Sequence, residues 1–309
     1  MSARHVSQTG EERLDVAGLQ RLVRRLHTSN TTALTVLSVV TGLVVFLFVA
    51  ILLYLLIQGV PYLFNSAFYD PNPDATISIL PQIFNTVYIL LATEIILVPL
   101  ALAAAIYLIE YARQGLLVSV IHFAAETLAG VPSLVLGLFG FLFFGSILGF
   151  GYSRLTGILA LLCLNMPLAL RLFEDALTSV SRDQREAALA LGSNKWHAIR
   201  TAVLPTALPG IITAIVLSAG KVLAETAVLI FTAGTTSPRH PFNLDPLLPA
   251  ETLSVHIYQV ELINANNNTP DEIVAIAGGS AALLILALLL INISARALGR
   301  FVQKRLTAA

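Results

Sequence analysis

The sequence predicts an all-α fold, a polytopic membrane bundle of six transmembrane helices. Of its 309 residues, 56% are hydrophobic and only 12% are charged, and the mean hydropathy is +0.82. Soluble domains of this length are far more polar. The second observation is a series of apolar runs with few or no charges. Each is long enough to cross a bilayer core of about 30 Å, which takes about 20 helical residues.

The first apolar run, Ala33 to Ile57, follows an N-terminal arm of residues 1–32. That arm is too long for an ordinary cleaved signal peptide, so this run is predicted to be a retained anchor. Five further spans are predicted, at Ile83–Ile109, within Leu116–Phe150, at Leu155–Phe173, at Leu208–Ala233 and at Ile273–Ile293. The third run is too long for one crossing. Its glycine-rich end, GLFGFLFFGSILGFG, is therefore expected to bend or to run along the interface.

Lysine and arginine are concentrated in alternate connections, and short basic segments stay on the cytoplasmic side. The basic segments are the N-terminal arm, the connection that holds Arg113, the loop 181–205 and the C-terminal tail. Acidic residues dominate the opposite loops, one of which covers residues 234–271. Across all of these loops, Arg154 and Arg239 are the basic exceptions. Both termini are therefore expected to be cytoplasmic, with residues 33–309 forming one transmembrane domain.

Several classes of chemistry find no support in the sequence. The one cysteine, Cys163, cannot form an internal disulfide, and the six histidines show no ligand-like spacing. The chain contains no GxxxxGK[ST] phosphate loop, so neither a metal centre nor intrinsic ATP hydrolysis is predicted. We expect a chain that is not itself an enzyme and that has no nucleic-acid partner.

The loop 181–205 contains REAALALGSNKWHAIRTAVLP, a polar and alanine-rich interruption of an apolar chain. Ser181 and Gln184 form a capping-box pattern that starts a helix, and Gly192 is suited to end it. A second helix is predicted from Ser193, with Trp196 and Ile199 on one side. Small side chains let another protein approach the backbone closely, so the loop is either a docking surface or an amphipathic connector that rests on lipid headgroups.

Charged residues within the spans need partners or water, because a charge at bilayer depth is costly. Lys221 and Glu225 are four residues apart, so they either neutralise each other on one helical face or line a path for an anion. Arg171 either reaches the headgroups or lines the same path. Glu94 and Glu126 are expected to pair with basic groups or to be partly protonated, and His122 to be a packed interior residue.

Glycines and a proline within the third run also allow two interpretations. They either permit close helix packing, their commonest role in membranes, or provide a flexible break. The residues concerned are Gly130, Pro132, Gly137 and Gly140.

The loop 181–205 resembles the EAA loop of the membrane subunits of ABC importers, both in spacing and in its place before the penultimate helix. The matching residues are Glu186, Ala187, Ala188, Gly192, Leu204 and Pro205. In that family this loop is the coupling helix, which sits in a groove of the ATP-hydrolysing subunit and transmits its closure to the transmembrane helices. The resemblance implies the type I ABC importer, or MetI-like, permease fold in the bacterial inner membrane.

Three other features look like the permease subunits of phosphate-specific importers: ETLAGVPSLVLGLFG from Glu126, the pair Pro167 and Arg171, and KVLAETA from Lys221. A fourth, ETLSVHIY from Glu251, favours the PstA type over its partner PstC. This chain departs from the family pattern at Lys221, where arginine is usual, and at Val228, where proline is frequent. The resemblance implies an importer of inorganic phosphate, with Arg171, Lys221 and Glu225 as candidates for the translocation path.

The resemblance also implies partners for the chain. A PstC-type permease would complete the path, two copies of a PstB-type ATPase would bind ATP and Mg²⁺, and a PstS-type protein would deliver phosphate. No cofactor is expected in this chain. Two alternatives stay open: an ABC permease for another anion or polar solute, and an ATP-independent secondary transporter.

Overall fold

A computed structural model of the chain describes residues 16–72, 77–113, 115–190, 192–238, 242–263 and 269–307. It divides into two units, Met1–Tyr54 and Leu55–Ala309. The first unit consists, where described, of the N-terminal part of helix α1, Val16–Gly59. Apolar side chains of this part are exposed, Phe46 by 74%, as suits a helix surrounded by lipid. Helix α1 contains the predicted first span and also residues 16–32 of the arm.

The second unit is built around three long helices. Helix α2 spans Leu80–Ile106 and is extended by a π-helical turn, Tyr107–Tyr111. Helix α5 spans Arg154–Thr178, and its first turn is capped by the Ser153 hydroxyl, which accepts a hydrogen bond from the Thr156 backbone N–H at 3.2 Å. Helix α8 spans Leu204–Ala224. Helix α5 packs between α2 and α8, and side chains such as Leu97, Phe173 and Ile211 fill the core between them.

Helix α12, Gly279–Thr307, packs against α8 and follows a short helix α11, Pro270–Ile273, through a π-helical turn, Val274–Gly278. The capping box of α11 is complete: the Thr269 hydroxyl accepts from the Glu272 N–H, and the Glu272 side chain accepts from the Thr269 N–H. Helix α10, Leu253–Tyr258, lies within the predicted outer loop 234–271. That loop is therefore partly helical.

The third predicted span is broken. Helix α3, Leu116–Ala129, and helix α4, Ser133–Gly140, continued by the π-helical segment Phe141–Ile147, meet at an angle of 100°. The break lies at Gly130 to Pro132, ahead of the glycine-rich end where a bend was expected. Proline disfavours helical geometry in the residue before it, which explains why the helix stops there. Within the described residues, five helices are long and apolar enough to cross a membrane, or six with this bent pair.

The fifth predicted span, Leu208–Ala233, is also wrong at its C-terminal end. Helix α8 stops at Ala224, Glu225 is extended, and a separate short helix α9 spans Ala227–Thr232. Helices α4 and α9 pack on each other. A Cβ atom added at Gly137 would lie 2.9 Å from the Cα of Val228, so glycine is needed there for close packing. Of the two roles considered for glycine in this region, Gly137 has the packing role, while Gly130 lies at a break.

Candidate functional site

The loop 181–205 forms two helices, as predicted, with shifted bounds. Helix α6 spans Arg182–Ala190, and the Ser181 hydroxyl accepts from the Gln184 N–H at 3.4 Å. Gly192 has a φ of +81°, and its N–H donates to the carbonyl of Leu189 at 3.0 Å. Left-handed backbone of this kind ends a helix and favours glycine. The predicted end of the first helix is therefore confirmed.

The second helix of the loop begins later than predicted and does not end before the span. Helix α7, Lys195–Ala198, is capped by Asn194, whose side chain accepts from the His197 N–H at 2.8 Å. A π-helical turn, Ile199–Val203, then joins α7 directly to α8. One continuous helical path of 30 residues therefore runs from Lys195 to Ala224. Leu204 and Pro205 are half-buried within it.

The side chains of this loop divide into an exposed and a buried set. Glu186, Ala187 and Trp196 are exposed, Trp196 by 55%, and Ala188 is half-buried. Ile199 is buried, so the two residues predicted on one side of the helix differ in exposure. Their three-residue spacing places them about 60° apart around a regular helix, and the surface of the unit passes between them. The exposed set is available to a partner, and Ile199 anchors the helix.

A cavity of about 490 Å³ lies beside the C-terminal half of α5. Helices α3, α5 and α8 line it, and it brings together the predicted path residues Arg171 and Lys221. Both side chains are exposed, and within the described chain neither has a hydrogen bond or an ion pair. Glu225, the third predicted path residue, does not line this cavity. Its Oε1 accepts from the Val228 N–H at 3.3 Å, at the start of α9.

The structure excludes one of the two alternatives for Lys221 and Glu225, and the expectation for His122 is wrong. Lys221 and Glu225 do not pair on one helical face, because α8 ends at Ala224, between them. His122 is not a packed interior residue: its side chain is 44% exposed, and its Nε2 lies 3.0 Å from Oε1 of Glu174. Both His122 and Glu174 line the cavity.

Of the two alternatives expected for the intramembrane glutamates, pairing with basic groups is wrong for both, and partial protonation stays a prediction. Glu94 Oε1 accepts a hydrogen bond from the Ser218 hydroxyl at 2.9 Å, and its buried Oε2 has no partner among the described residues. Glu126 is exposed to the cavity, and in the described part of the chain nothing bonds to its carboxylate. Among the described residues, the cavity therefore presents two cations and two carboxylates without a bonded partner, the latter from Glu126 and Asp175, together with the His122–Glu174 pair.

A buried polar cluster at the opposite end of α5 was not predicted. Arg154, expected in an outer loop, is fully buried. Its Nε and Nη2 donate to Oδ1 of Asn85 at 3.2 and 2.8 Å, and its Nη1 donates to the carbonyls of Asn243 and Asp245. The guanidinium also lies over the Tyr88 ring, 5.1 Å from its centre.

The same cluster fixes the start of ETLSVHIY. Asn85 Nδ2 donates to the carbonyl of Glu251 at 3.0 Å, and Gln82 Nε2 donates to Oε2 of Glu251 at 2.9 Å. Glu251 Oε1 lies 3.0 Å from Nδ1 of His256. This motif, which supports the resemblance, therefore has a structural role. The sequence did contain a signal for this cluster: the polar residues Gln82, Asn85 and Thr86 lie within one turn of an otherwise apolar helix. Buried polar groups need hydrogen-bond partners, so these residues indicate a polar contact with another part of the chain.

A family model described as "Binding-protein-dependent transport system inner membrane component" matches residues 97–308. A probable ABC transporter permease, YqgI of Bacillus subtilis, is 40% identical over 268 residues, which cover 82% of this chain and 90% of that protein. A phosphate transport system permease protein PstA of Haemophilus influenzae is 31% identical over 275 residues, with coverage of 88% and 94%.

Solved structures show the same fold. A bacterial ABC transporter involved in alginate import matches with a TM-score of 0.61 at 16% identity, covering 89% of this chain and 98% of that one. The MetNI methionine ABC transporter in an inward-facing form matches with a TM-score of 0.56 at 18% identity, covering 71% and 93%. The predicted all-α, MetI-like permease fold is confirmed.

The contacts of the buried Arg154 guanidinium predict that its removal destabilises the folded protein. Arg154→Met should lower the unfolding free energy by about 3–5 kcal/mol, because it leaves the Asn85 side chain and two loop carbonyls without a donor. The measurement is the melting temperature of the detergent-solubilised protein. Arg113→Met, which removes an exposed arginine, is the matched control. Equal melting temperatures for the two variants would show that the cluster contributes nothing.

Proposed function

Because the chain belongs to the family of inner membrane components of binding-protein-dependent transport systems, we propose that it is the permease subunit of an ATP-driven importer of inorganic phosphate. Members of this family work with ATPase and substrate-binding partners. The observation that carries the phosphate assignment is the cavity in which the free cations of Arg171 and Lys221 come together. Relatives named as phosphate permeases, such as that of Haemophilus influenzae, support the same substrate.

The mixed charge of the cavity suits a transient anion site. Two cations offset part of the cost of dehydrating a phosphate dianion, while neighbouring carboxylates keep the binding weak. Weak binding is what transport needs, because a site that holds its ligand too well does not release it. Lys221 acts here as a point charge, whereas Arg171 can present two donors to one anion.

The free carboxylate of Glu126 favours phosphate over sulfate. At neutral pH, phosphate carries one or two protons, whereas sulfate carries none. An ionised carboxylate accepts a hydrogen bond from a protonated oxyanion and repels one that has no proton to donate. A cavity that contains both cations and such an acceptor is therefore better matched to hydrogenphosphate than to sulfate or molybdate.

The coupling proposal starts from the exposed part of the loop 181–205. Glu186, Ala187 and Ala188 would dock in a groove of the ATPase, and Gly192 would set the angle between α6 and α7. Leu204 and Pro205 lie on the continuous helical path that leads from α7 to Lys221. Closure of the ATPase would thus move the continuous helical segment that carries Lys221 near its other end.

The full transporter would contain this chain, a PstC-type permease, two PstB-type ATPase subunits and a PstS-type phosphate-binding protein. ATP and Mg²⁺ would be bound by the ATPase, and this chain would hold no cofactor. The termini and the loop 181–205 would lie in the cytoplasm, in accord with the basic residues there. The outer loop 234–271 would face the binding protein.

Of the two alternatives, the nearer is a permease for another anion or polar solute. The structural neighbours act on methionine and alginate, so the fold itself does not select phosphate. An ATP-independent secondary transporter is disfavoured by the family membership.

The proposed function is tested by uptake of radiolabelled phosphate into proteoliposomes that contain this chain and its candidate partners. We expect uptake that requires ATP, the binding protein and this chain, and that excess sulfate or molybdate does not inhibit. ATP-dependent uptake of another solute would overturn the phosphate assignment. An intact complex without ATP-dependent uptake of any solute would overturn the importer proposal.

The two cavity cations should each matter for rate. Arg171→Gln and Lys221→Gln should lower the maximal rate of phosphate uptake by about tenfold, the effect of a lost interaction worth about 1.4 kcal/mol in the transition state of transport. Arg300→Gln, which removes an exposed arginine outside the cavity, should leave the rate unchanged. A normal rate in both cavity variants would exclude them from the path.

Substitutions at Gly192 test the role of its left-handed backbone conformation, apart from any side-chain contact. Among the described residues, nothing lies within 4 Å of a Cβ atom placed there, so the Cβ itself meets no neighbour. Gly192→Val should abolish phosphate uptake, because a β-branched residue strongly disfavours positive φ, whereas Gly192→Asn should keep most of it. Uptake is compared at equal amounts of inserted protein. Equal uptake by the two variants would contradict a role for the loop geometry in coupling.

A further inference from the structure

We propose that Glu110 and Arg185 form a charged joint through which movement of α6 reaches the end of α2. The inference rests on the proposed coupling role of the loop 181–205. Glu110 lies in the π-helical turn Tyr107–Tyr111 that extends α2, and Arg185 lies in α6. Oε1 of Glu110 is 3.3 Å from Nη1 of Arg185. Neither residue belongs to the EAA pattern or to the cavity, and both act as positioning residues.

The Arg185 guanidinium connects three elements. In addition to the ion pair, its Nη2 donates a hydrogen bond to the carbonyl of Leu177, in the last turn of α5. Arg185 therefore ties α6 to the adjoining ends of α2 and α5. Helices α2 and α5 pack along each other through the core, so a shift of α6 acts on both at once.

The second helix of the loop contacts the same π-helical turn. Nζ of Lys195, the first residue of α7, lies 5.1 Å from the centre of the Tyr111 ring. Both helices of the loop thus make a charged contact with adjacent residues, Glu110 and Tyr111. Movement of either helix of the loop would therefore act on the turn at the end of α2.

The Glu110–Arg185 ion pair is better suited to transmitting movement than to stabilising the fold. The side chains of Glu110 and Arg185 are only 9% and 22% exposed. Yet, within the described chain, Oε1 of Glu110 and Nε of Arg185 have no hydrogen-bond partner. A buried ion pair whose hydrogen bonds are incomplete contributes little net stability, because desolvation offsets the attraction. Such a pair can shift or reform at low cost when α6 moves, while the loss of one charge leaves the other uncompensated.

The test uses the full complex with its ATPase, second permease and binding protein in proteoliposomes. Two quantities are measured per assembled complex: the stimulation of ATP hydrolysis by the loaded binding protein, and the phosphate transported per ATP hydrolysed. Glu110→Gln and Arg185→Gln should each lower both quantities by about tenfold, within the usual range of coupling between sites. The double variant should be no worse than Arg185→Gln alone, because the ion pair is already lost in that variant.

The matched control is Arg182→Gln, which removes an exposed arginine of the same helix. It should keep wild-type stimulation and transport per ATP. If the Glu110 and Arg185 variants behave like this control when assembled, or lose only thermal stability, the proposed joint is overturned.

Two conservative variants keep the test decisive if the glutamine variants do not assemble. Glu110→Asp and Arg185→Lys retain both charges but change the geometry of the contact, so each should lower transport per ATP by roughly threefold. Wild-type values in both would overturn the joint. If the wild-type complex imports a solute other than phosphate, only the phosphate assignment is refuted. Stimulation of ATP hydrolysis by its binding protein would still test the role of the Glu110–Arg185 contact.

Discussion

The buried guanidinium of Arg154 is the interaction on which the second unit depends. It is satisfied by the Asn85 side chain and by two carbonyls of the segment 243–245, and it begins α5, the central helix of the bundle. The Arg154 backbone N–H donates in turn to the carbonyl of Leu248 at 2.9 Å. A buried charge without such partners would cost several kcal/mol. One end of α2, the start of α5 and the loop leading to α10 are therefore fixed to one another.

The opposite end of the same helices is held differently. There, α2 and α5 meet the loop 181–205 through Arg185, whose ion pair with Glu110 lacks full hydrogen bonding. At one end each nitrogen of the Arg154 guanidinium has an acceptor, whereas at the other end the Glu110–Arg185 pair lacks full hydrogen bonding. In the proposed mechanism this difference lets the end that meets the loop 181–205 move while the end held by Arg154 stays in place.

The sequence predicted the long elements better than their interruptions. Apolar runs located α1, α2, α5 and α12, and Gly192 located the end of α6, because hydropathy and left-handed glycine are local properties. The break after Ala224 was not predicted, and a break at Gly130 and Pro132 was only one of two interpretations, since hydropathy averages over both positions and the packing of α4 on α9 beyond them is not a local property. Burial of Arg154 depends on Asn85, 69 residues away, and an arginine at the end of a span is indistinguishable by sequence from one that reaches the headgroups. The sequence could predict that Arg171 and Lys221 both line an anion path. It could not predict that they line this particular cavity beside α5.

The two breaks have a bearing on the proposed transport cycle. Glu126 precedes the break at Gly130 by four residues, and Lys221 precedes the extended Glu225 by four. Both cavity charges thus lie in the last turns of helices that stop abruptly, while the segments beyond, α4 and α9, are locked together by the close approach at Gly137. In the proposed mechanism, α8 moves with the loop 181–205 while α4 and α9 stay packed. The bending is then confined to the residues next to Glu126 and Lys221. In that mechanism, a change in the separation of these two charges would alter the affinity of the cavity for an anion.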